Sequence, residues 1–204
     1  LYDCVLVGGV EKMTDALTPD VLAALIMADD QEYVANTGIT FGGLNALVYR
    51  EYMRKYNVKQ EKIAYFPVHC HKYAKNNPYA QFRFEITVES VLKSPMVSDP
   101  IHLLESSPIS DGAAAIVLCS LEKAKEVKKE VLIKVLASTV ATYILSPHER
   151  DDITTLYSTV IAARKAYKMS KKNPKDIDVL EVHDAYSILG VIHLEDLGLS
   201  LIHI

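Results

Sequence analysis

The sequence lacks two features that would place the protein in a membrane or on a nucleic acid. No run approaches the roughly 20 apolar residues that cross a bilayer, because the longest, residues 131–145, is interrupted by Lys134, Ser138, Thr139 and Thr142. Basic residues number 22 against 26 acidic ones, so the formal charge of -4 provides no broad cationic surface. The sequence therefore predicts neither a membrane protein nor a nucleic-acid-binding protein.

Cysteines are also few. Cys4, Cys70 and Cys119 are odd in number and far apart, which favours reduced, mostly buried thiols over a disulfide framework. The sequence opens with Leu1 and shows neither an initiator methionine nor a signal segment, so we expect the true amino terminus to be missing and the protein not to be secreted. A cytoplasmic location is the expectation.

What the sequence does contain is an alternation of strand and helix patterns. Half of its 204 residues are apolar, enough for one large core or parts of two. Short apolar runs predict strands at residues 4–7, 116–119, 131–142 and 177–182. Helical spacing predicts helices at residues 21–32, 43–56, 156–167 and 188–197. Between residues 58 and 100 prolines interrupt the pattern, and we expect an insertion of short helices and loops without a sheet. The alternation predicts an α/β protein.

Four stretches of sequence resemble one enzyme family. They are Val-Leu-Val-Gly-Gly-Val-Glu-Lys-Met at residues 5–13, Asn-Pro-Tyr-Ala-Gln-Phe at 77–82, Ser-Pro-Ile-Ser-Asp-Gly-Ala-Ala-Ala at 107–115, and 174–186, which ends in Glu-Val-His-Asp-Ala-Tyr. Each is weak alone, but all four occur in the order and spacing of thiolases. The chain resembles in particular the archaeal acetyl-CoA C-acetyltransferase and sterol-carrier-protein-x-like branch.

The resemblance implies a layered αβαβα fold with an inserted loop domain, incomplete in this chain. Residues 1–130 would form the later part of the thiolase N-terminal domain, with the loop domain at about 30–100, and residues 131–204 would begin the C-terminal domain. The helix that carries the nucleophilic cysteine would precede residue 1. The Gly-His-Pro and Cys-x-Gly motifs would follow residue 204, and residues 199–204 depart from the family pattern. We therefore expect this internal fragment to be inactive alone.

The implied function is that of an acyl-CoA C-acyltransferase. Such an enzyme condenses acetyl-CoA units or cleaves a 3-oxoacyl-CoA through a cysteine acyl-enzyme, with coenzyme A thioester as substrate and no cofactor. Two alternatives stay open: another condensing enzyme of the thiolase superfamily, or a non-catalytic thiolase-like subunit that binds acyl-CoA or scaffolds a partner enzyme of acyl-CoA metabolism. The complete protein is expected to be a homodimer or homotetramer.

His183 is the residue that the resemblance implies for catalysis, as an oxyanion-hole element. A neutral imidazole can donate a hydrogen bond without leaving a fixed charge in a dry site, although a lone histidine after an apolar run is more often a packing residue. Ala185 and Tyr186 would line the acyl pocket by the same resemblance. Asp184 fits equally well as a helix cap or as a partner of a nearby group.

A second group of candidate residues is His69-Cys70-His71. A metal site is not predicted, because neighbours on a strand point to opposite faces and no second cluster completes four ligands. We expect these residues to pack in the loop domain, with His71 near the coenzyme A channel as a substrate-binding residue. None of the three cysteines is predicted to be the nucleophile, since a thiolate inside an apolar strand would be costly.

Overall fold

A computed structural model describes residues 2–127 and 132–199. The strands are β1 (Cys4–Glu11), β2 (Met96–Ser98), β3 (Ile101–His102) and β4 (Gly112–Cys119). The helices are α1 (Thr18–Ile26), α2 (Phe41–Tyr56), α3 (Gln60–Ile63), α4 (Tyr65–Ala74), α5 (Val88–Lys93), α6 (Leu121–Glu126), α7 (Tyr157–Ser170) and α8 (Ser187–Asp196). Short 3₁₀ turns lie at Ala35–Thr37, Leu103–Glu105, Pro147–Glu149 and Pro174–Asp176.

The first and last strands pair with each other. β1 and β4 form an antiparallel ladder that runs from Cys4 opposite Cys119 to Glu11 opposite Gly112. The two strands predicted there are confirmed, but the expectation of mostly buried thiols is wrong for the two cysteines that they carry. Both strands are exposed along their whole length, and Cys4 and Cys119 are exposed free thiols. The reason is that this ladder contains only two strands within the described part of the chain.

One carboxylate joins the turn after β1 to the residue before β4. Asp111 accepts hydrogen bonds from the backbone N–H of Met13 at 2.8 Å and of Thr14 at 3.0 Å through Oδ1. Its Oδ2 accepts from the Thr14 hydroxyl at 2.7 Å and from Lys12 Nζ at 2.9 Å. The Thr14 hydroxyl, then Lys12 and the two amides, hold the pKa of Asp111 well below its usual range. The ladder is thereby closed at this end.

The main core lies between α2 and α8. The stripe predicted on α2 is confirmed: Leu44, Val48 and Tyr52 are buried, and the Thr40 hydroxyl caps the helix by accepting from Gly43 N at 3.0 Å. The core cluster consists of Ala46, Val48, Tyr49, Tyr52, Ile63, Ile101, Tyr186, Ile188, Val191 and Ile192. The predicted helix at 188–197 is likewise confirmed as α8.

A glycine allows α4 to approach α8 closely. A Cβ on Gly190 would lie 2.1 Å from the ring of Phe66, so no larger residue fits without movement. This packing places the C-terminal half of α4 beside the segment that leads into α8. The expected short helices between residues 58 and 100 are confirmed as α3, α4 and α5. A small β2–β3 hairpin at residues 96–102 corrects the expectation of no sheet there.

Helix α1 ends earlier than its sequence pattern predicts. The predicted helix 21–32 is observed as Thr18–Ile26. Beyond it, Asp29 Oδ1 accepts from Asp30 N at 2.7 Å and Asp30 Oδ1 accepts from Tyr33 N at 2.6 Å. Aspartate side chains that bind nearby amides compete with helical hydrogen bonds, and the chain turns instead. Gly38 then ends the 3₁₀ turn Ala35–Thr37 with a φ of 78°.

Two predicted strands are wrong over the described residues. Residues 132–142 and 177–182 form no strand, because a strand needs a ladder partner for its backbone groups. The first segment is joined to α7 instead, where Thr139 Oγ1 donates to the Ala162 carbonyl at 2.9 Å. Helix α7, predicted to pack on a sheet, packs on α8, and Tyr167 Oη donates to the Leu197 carbonyl at 2.8 Å.

Some expectations concern residues outside the described ones. The domain boundary near residue 130 lies within residues 128–131, and all but the first of residues 199–204 lie beyond the described range. Within residues 2–127 and 132–199, no helix has the length and apolar character needed to cross a membrane.

Candidate functional site

Helix α4, the 3₁₀ turn Leu103–Glu105 and the start of α8 enclose a cavity of about 250 Å³. Its wall is formed by Phe66, Pro67, Cys70, His71, Ala74, Ala80, Gln81, Phe82, Leu104, Glu105, Ser106, Ser107, Pro108, Asp184 and Ser187. Three of the four sequence stretches singled out above, 77–82, 107–115 and 174–186, meet at this cavity. Convergent polar groups around a concave apolar surface are typical of a small-molecule site.

The segment of His183 and Asp184 approaches the cavity just before α8 begins. His183 is exposed, whereas Asp184 is half-buried and lines the cavity. Asp184 does not cap α8, because the N-cap residue is Tyr186. The structure thus decides between the two roles left open for Asp184 and favours a partner role.

That partner is Cys70 on α4. The Cys70 thiol donates to Asp184 Oδ2 over 3.9 Å, a weak sulfur hydrogen bond. Burial, followed by the nearby Asp184 carboxylate, raises the pKa of Cys70 to about 12. Burial also raises the pKa of Asp184. A thiol in this environment stays protonated at neutral pH, which makes Cys70 a poor nucleophile.

Ala185 and Tyr186 are turned away from the cavity. Tyr186 is buried in the main core, with its ring 5.7 Å from that of Phe41. Ala185 is half-buried against the same core, and its carbonyl accepts hydrogen bonds from Ser107. The structure does not bring either side chain to this cavity, so their part in acyl binding stays a prediction.

His71 does lie in the cavity wall. Its Nδ1 is 2.9 Å from the Phe84 carbonyl, and its ring is stacked on that of Phe82 with centroids 6.3 Å apart and planes at 12°. The structure places His69, Cys70 and His71 on helix α4, whereas the prediction of no metal site assumed that they lie on a strand. The side chains of His69 and His71 still point in different directions, because the His69 ring packs against the Tyr73 ring with the centroids 4.8 Å apart. No group of three metal-ligating side chains occurs in the described residues.

Sequence reasoning missed one polar residue at this site, Glu105. It is 3% exposed, and both of its oxygens are hydrogen-bonded. Oε1 accepts from the hydroxyls of Tyr49 at 2.8 Å and Ser187 at 3.0 Å. Oε2 accepts from the His102 amide at 3.0 Å and from Gln60 Nε2 at 3.4 Å. In the sequence, Glu105 is visible only as a single acidic residue between Leu104 and the two serines that follow it.

Comparison with known proteins identifies the family. Residues 1–122 match the family described as thiolase, N-terminal domain, and residues 139–201 match the one described as thiolase C-terminal domain-like. The chain belongs to the thiolase family. This confirms the resemblance drawn from the sequence.

Individual thiolase-family relatives point to the same branch. The chain is 47% identical over 197 residues to acetyl-CoA acetyltransferases of Methanothermobacter thermautotrophicus and Methanocaldococcus jannaschii, covering 97% and 96% of this chain and 51% and 50% of theirs. It is 36% identical over 154 residues to sterol carrier protein 2 of Homo sapiens, covering 74% of this chain and 28% of that protein. The chain spans about half the length of the archaeal relatives.

Two solved structures support the fold. One is an Ltp2-ChsH2(DUF35) aldolase, with a TM-score of 0.74 and 24% identity over 97% of this chain and 52% of that one. The other is a monomeric SCP2-thiolase like protein type 1 from Mycobacterium smegmatis, with a TM-score of 0.70 and 18% identity over 97% of this chain and 42% of that one. The predicted thiolase-like α/β fold is confirmed, incomplete in this chain.

A larger open depression of about 730 Å³ lies between α2 and the segment before α7, away from these thiolase motifs. Three of its four cationic side chains form ion pairs, Arg50 with Asp99 among them, and the fourth, Arg150, donates to backbone carbonyls. Arg54 binds Glu51 at 2.7 Å, and Lys55 binds Asp152 at 2.6 Å. Paired surface charges have little free capacity for an anionic ligand, and we assign no function to this depression.

Proposed function

We propose that the protein carrying this chain is an acyl-CoA C-acyltransferase that moves acetyl groups between coenzyme A and a carbon nucleophile. The observation that carries the proposal is the 47% identity over 197 residues to two proteins named acetyl-CoA acetyltransferase. The cavity lined by three family stretches supports it, because polar side chains and apolar side chains share its wall.

The proposed reaction proceeds through an acyl-enzyme. A cysteine thiolate attacks the thioester carbonyl, the coenzyme A thiolate leaves, and the acyl group stays on sulfur. A base then removes the α-proton of a second acetyl-CoA, and the resulting carbanion attacks the acyl-enzyme and releases the cysteine thiolate. We propose that the nucleophile lies outside residues 1–204. The raised pKa of Cys70 supports this, since the thiol is buried beside a carboxylate.

His183 is proposed to stabilise an oxyanion in these steps. Each attack on a carbonyl places negative charge on its oxygen, and a donor aimed at that oxygen lowers the barrier. The exposed ring of His183 adjoins Asp184 in the cavity wall, which supports this role. A cavity of about 250 Å³ suits the reacting end of a thioester better than a whole coenzyme A molecule. His71 is proposed to contact that substrate.

The remaining features of the proposal concern the whole protein. We propose that it uses a coenzyme A thioester as substrate without a resident cofactor, that it is cytoplasmic, and that it is a homodimer or homotetramer. Exposed apolar side chains on both ladder strands, including Val5 and Ile116, support an assembly that covers them. Light scattering that gives a clean monomer for the full-length protein would contradict the assembly.

Activity of the full-length protein tests the proposal. The assay follows thiolysis of acetoacetyl-CoA with free coenzyme A, and condensation of acetyl-CoA in the reverse direction. Turnover in either direction, with acyl-enzyme trapped on a cysteine outside residues 1–204, supports the proposal. Binding of acyl-CoA without turnover would overturn it in favour of a non-catalytic subunit, and turnover only with a different acceptor would favour another condensing enzyme.

A further inference from the structure

The segment from His183 to Ser187 is held by three consecutive residues of another part of the chain. The Ser187 hydroxyl donates to Glu105 at 3.0 Å. Ser106 forms a β-bridge with Tyr186. The next residue, Ser107, donates its amide to the Ala185 carbonyl at 3.0 Å and its hydroxyl to the same oxygen at 3.2 Å.

Of these bonds, only the one from Ser187 ends on a buried side chain. The Glu105 side chain is fully buried, and its two oxygens join α2, α3 and α8 through Tyr49, Gln60 and Ser187. A buried carboxylate with all its partners in place resists displacement, because moving any partner leaves a polar group unpaired. Glu105 is therefore a fixed point to which the start of α8 is attached.

We propose that Glu105 is a positioning residue for the His183 segment and that it acts through Ser187. Three residues separate Ser187 from His183, and the carbonyl of Ala185 between them is fixed by Ser107. The backbone leading to His183 is thus held at two points. One is the hydrogen bond from Ser187 to the buried Glu105 carboxylate, and the other is the pair of hydrogen bonds from Ser107 to the Ala185 carbonyl. The inference rests on the proposed function in one respect, namely that the His183 ring must meet a developing oxyanion.

Two variants isolate this role because they remove the same kind of bond from the same oxygen. Ser187→Ala deletes the hydroxyl that ties α8 to Glu105 Oε1. Tyr49→Phe, the control, deletes the other hydroxyl on Oε1, which comes from α2 and also lies beside the Ser187 hydroxyl, but it leaves the hydrogen bond from Ser187 to Glu105 in place. A merely structural Glu105 would make the two variants equivalent. A positioning Glu105 makes only Ser187→Ala affect turnover.

The variants are made in the full-length protein and assayed by acetoacetyl-CoA thiolysis. We expect Ser187→Ala to lower kcat about 10-fold with KM within about 2-fold, since small misplacements of a reacting group are costly. Tyr49→Phe should keep kcat within about 2-fold. Glu105→Gln replaces one acceptor oxygen by an NH2 group, which cannot accept the hydrogen bonds that reach it. This variant should lower kcat at least as much as Ser187→Ala. Equal kcat losses in Ser187→Ala and Tyr49→Phe would overturn the inference.

A second readout does not depend on activity. The amides of Ser107 and Leu189 donate to the carbonyls of Ala185 and Tyr186, so their hydrogen exchange reports on how firmly the segment is held. We expect both amides to exchange several-fold faster in Ser187→Ala and unchanged in Tyr49→Phe. Unchanged exchange in Ser187→Ala would overturn the inference even if the protein is a thiolase. If the protein has no thiolase activity but its hydrogen exchange changes only in Ser187→Ala, the proposed function is overturned and the positioning by Glu105 is retained.

Discussion

The thiol of Cys70 points at the Asp184 carboxylate across 3.9 Å, and both residues are half-buried. The pair joins α4 to the His183 segment, and both residues line the same cavity as Glu105. Burial raises the pKa of both groups, and the Asp184 carboxylate further opposes ionisation of the Cys70 thiol.

The first prediction concerns the reactivity of this thiol. Because burial and Asp184 raise the pKa of Cys70 to about 12, iodoacetamide at pH 8 should leave it unmodified in the folded full-length protein. Asp184→Asn removes the neighbouring carboxylate and should increase the alkylation rate several-fold, as measured by peptide mass spectrometry. Cys70→Ala should retain thiolase turnover. Loss of the trapped acyl-enzyme in Cys70→Ala would make Cys70 the nucleophile and contradict the proposed mechanism.

The second prediction concerns His183. In the full-length protein, His183→Ala should lower kcat for acetoacetyl-CoA thiolysis by about 10² to 10³-fold, the usual effect of deleting an oxyanion-hole donor. The thermal midpoint and coenzyme A binding should change little, because the ring is exposed. His148→Ala is the matched control, since His148 is also exposed and contacts Tyr33 instead of the cavity. Near-normal turnover in His183→Ala would remove this residue from the mechanism.

The third prediction is a dependence of stability on pH at the junction of α7 and α8. Burial, with repulsion from Glu195 and Asp152, raises the pKa of Asp196 to about 6, although its Oδ2 accepts from the Leu156 amide at 2.7 Å. A carboxyl whose pKa is raised on folding stabilises the fold below its unfolded value near pH 4, and this contribution is lost as pH rises through 6.

Asp196→Asn keeps an acceptor for the Leu156 amide and removes the charge. The side chain is partly exposed, so solvent reduces the effect, and we expect a rise of about 1 to 3 °C in Tm at pH 7.5. The gain should vanish near pH 4, where wild type is also uncharged at this position. Calorimetry of both proteins across this pH range measures it. A gain that grows towards low pH would show the sign to be wrong.

The fourth prediction tests the close approach of α4 to α8. Gly190→Ala gains helix propensity but places a methyl group where the Phe66 ring lies, and overpacking of this kind costs about 1 to 3 kcal/mol. The variant should have a lower Tm and altered turnover, since the displaced helix carries Cys70 and His71. Gly9→Ala is the control, because nothing lies within 4 Å of the added Cβ. Equal thermal midpoints for both variants would mean that the contact is easily relieved.

The fifth prediction is that residues 1–204 alone have no measurable thiolase activity. The cavity is formed within this chain, yet no reactive thiolate faces it, and the exposed ladder edges favour association. Purification of this chain followed by the acetoacetyl-CoA assay and light scattering measures both properties. Robust turnover abolished by substitution of Cys4, Cys70 or Cys119 would contradict the proposed location of the nucleophile.

Helices whose apolar residues recur about once per turn were predictable from the sequence. The stripe of Leu44, Val48 and Tyr52 determines α2, because each apolar residue follows the last by about one turn. The segment 177–182 has an equally apolar pattern but forms no strand, since a strand depends on partners that periodicity does not reveal. Local pattern was therefore a sound guide to helices and a weaker one to strands.

The candidate site likewise combines residues that the sequence suggested with contacts that only the fold reveals. His183 was a candidate because of its sequence motif and His71 because of its place in the expected loop domain, and the roles of both stay predictions. The hydrogen bonds from Cys70 to Asp184 and from Ser187 to Glu105 join residues more than 80 positions apart, and no spacing rule connects them. Long-range contacts of this kind require the fold.

The closed end of the β1–β4 ladder has a topological consequence. Glu11 and Gly112 are paired, and Asp111 binds the turn that follows β1, so the polypeptide leaves the sheet and returns to it at one point. Residues 12–111 can therefore be lengthened or shortened without shifting the pairing of the strands, since loop-closure entropy changes only slowly with length. A thiolase built on this arrangement can remodel the part of the chain that forms most of the cavity wall while the pairing of β1 with β4 stays intact.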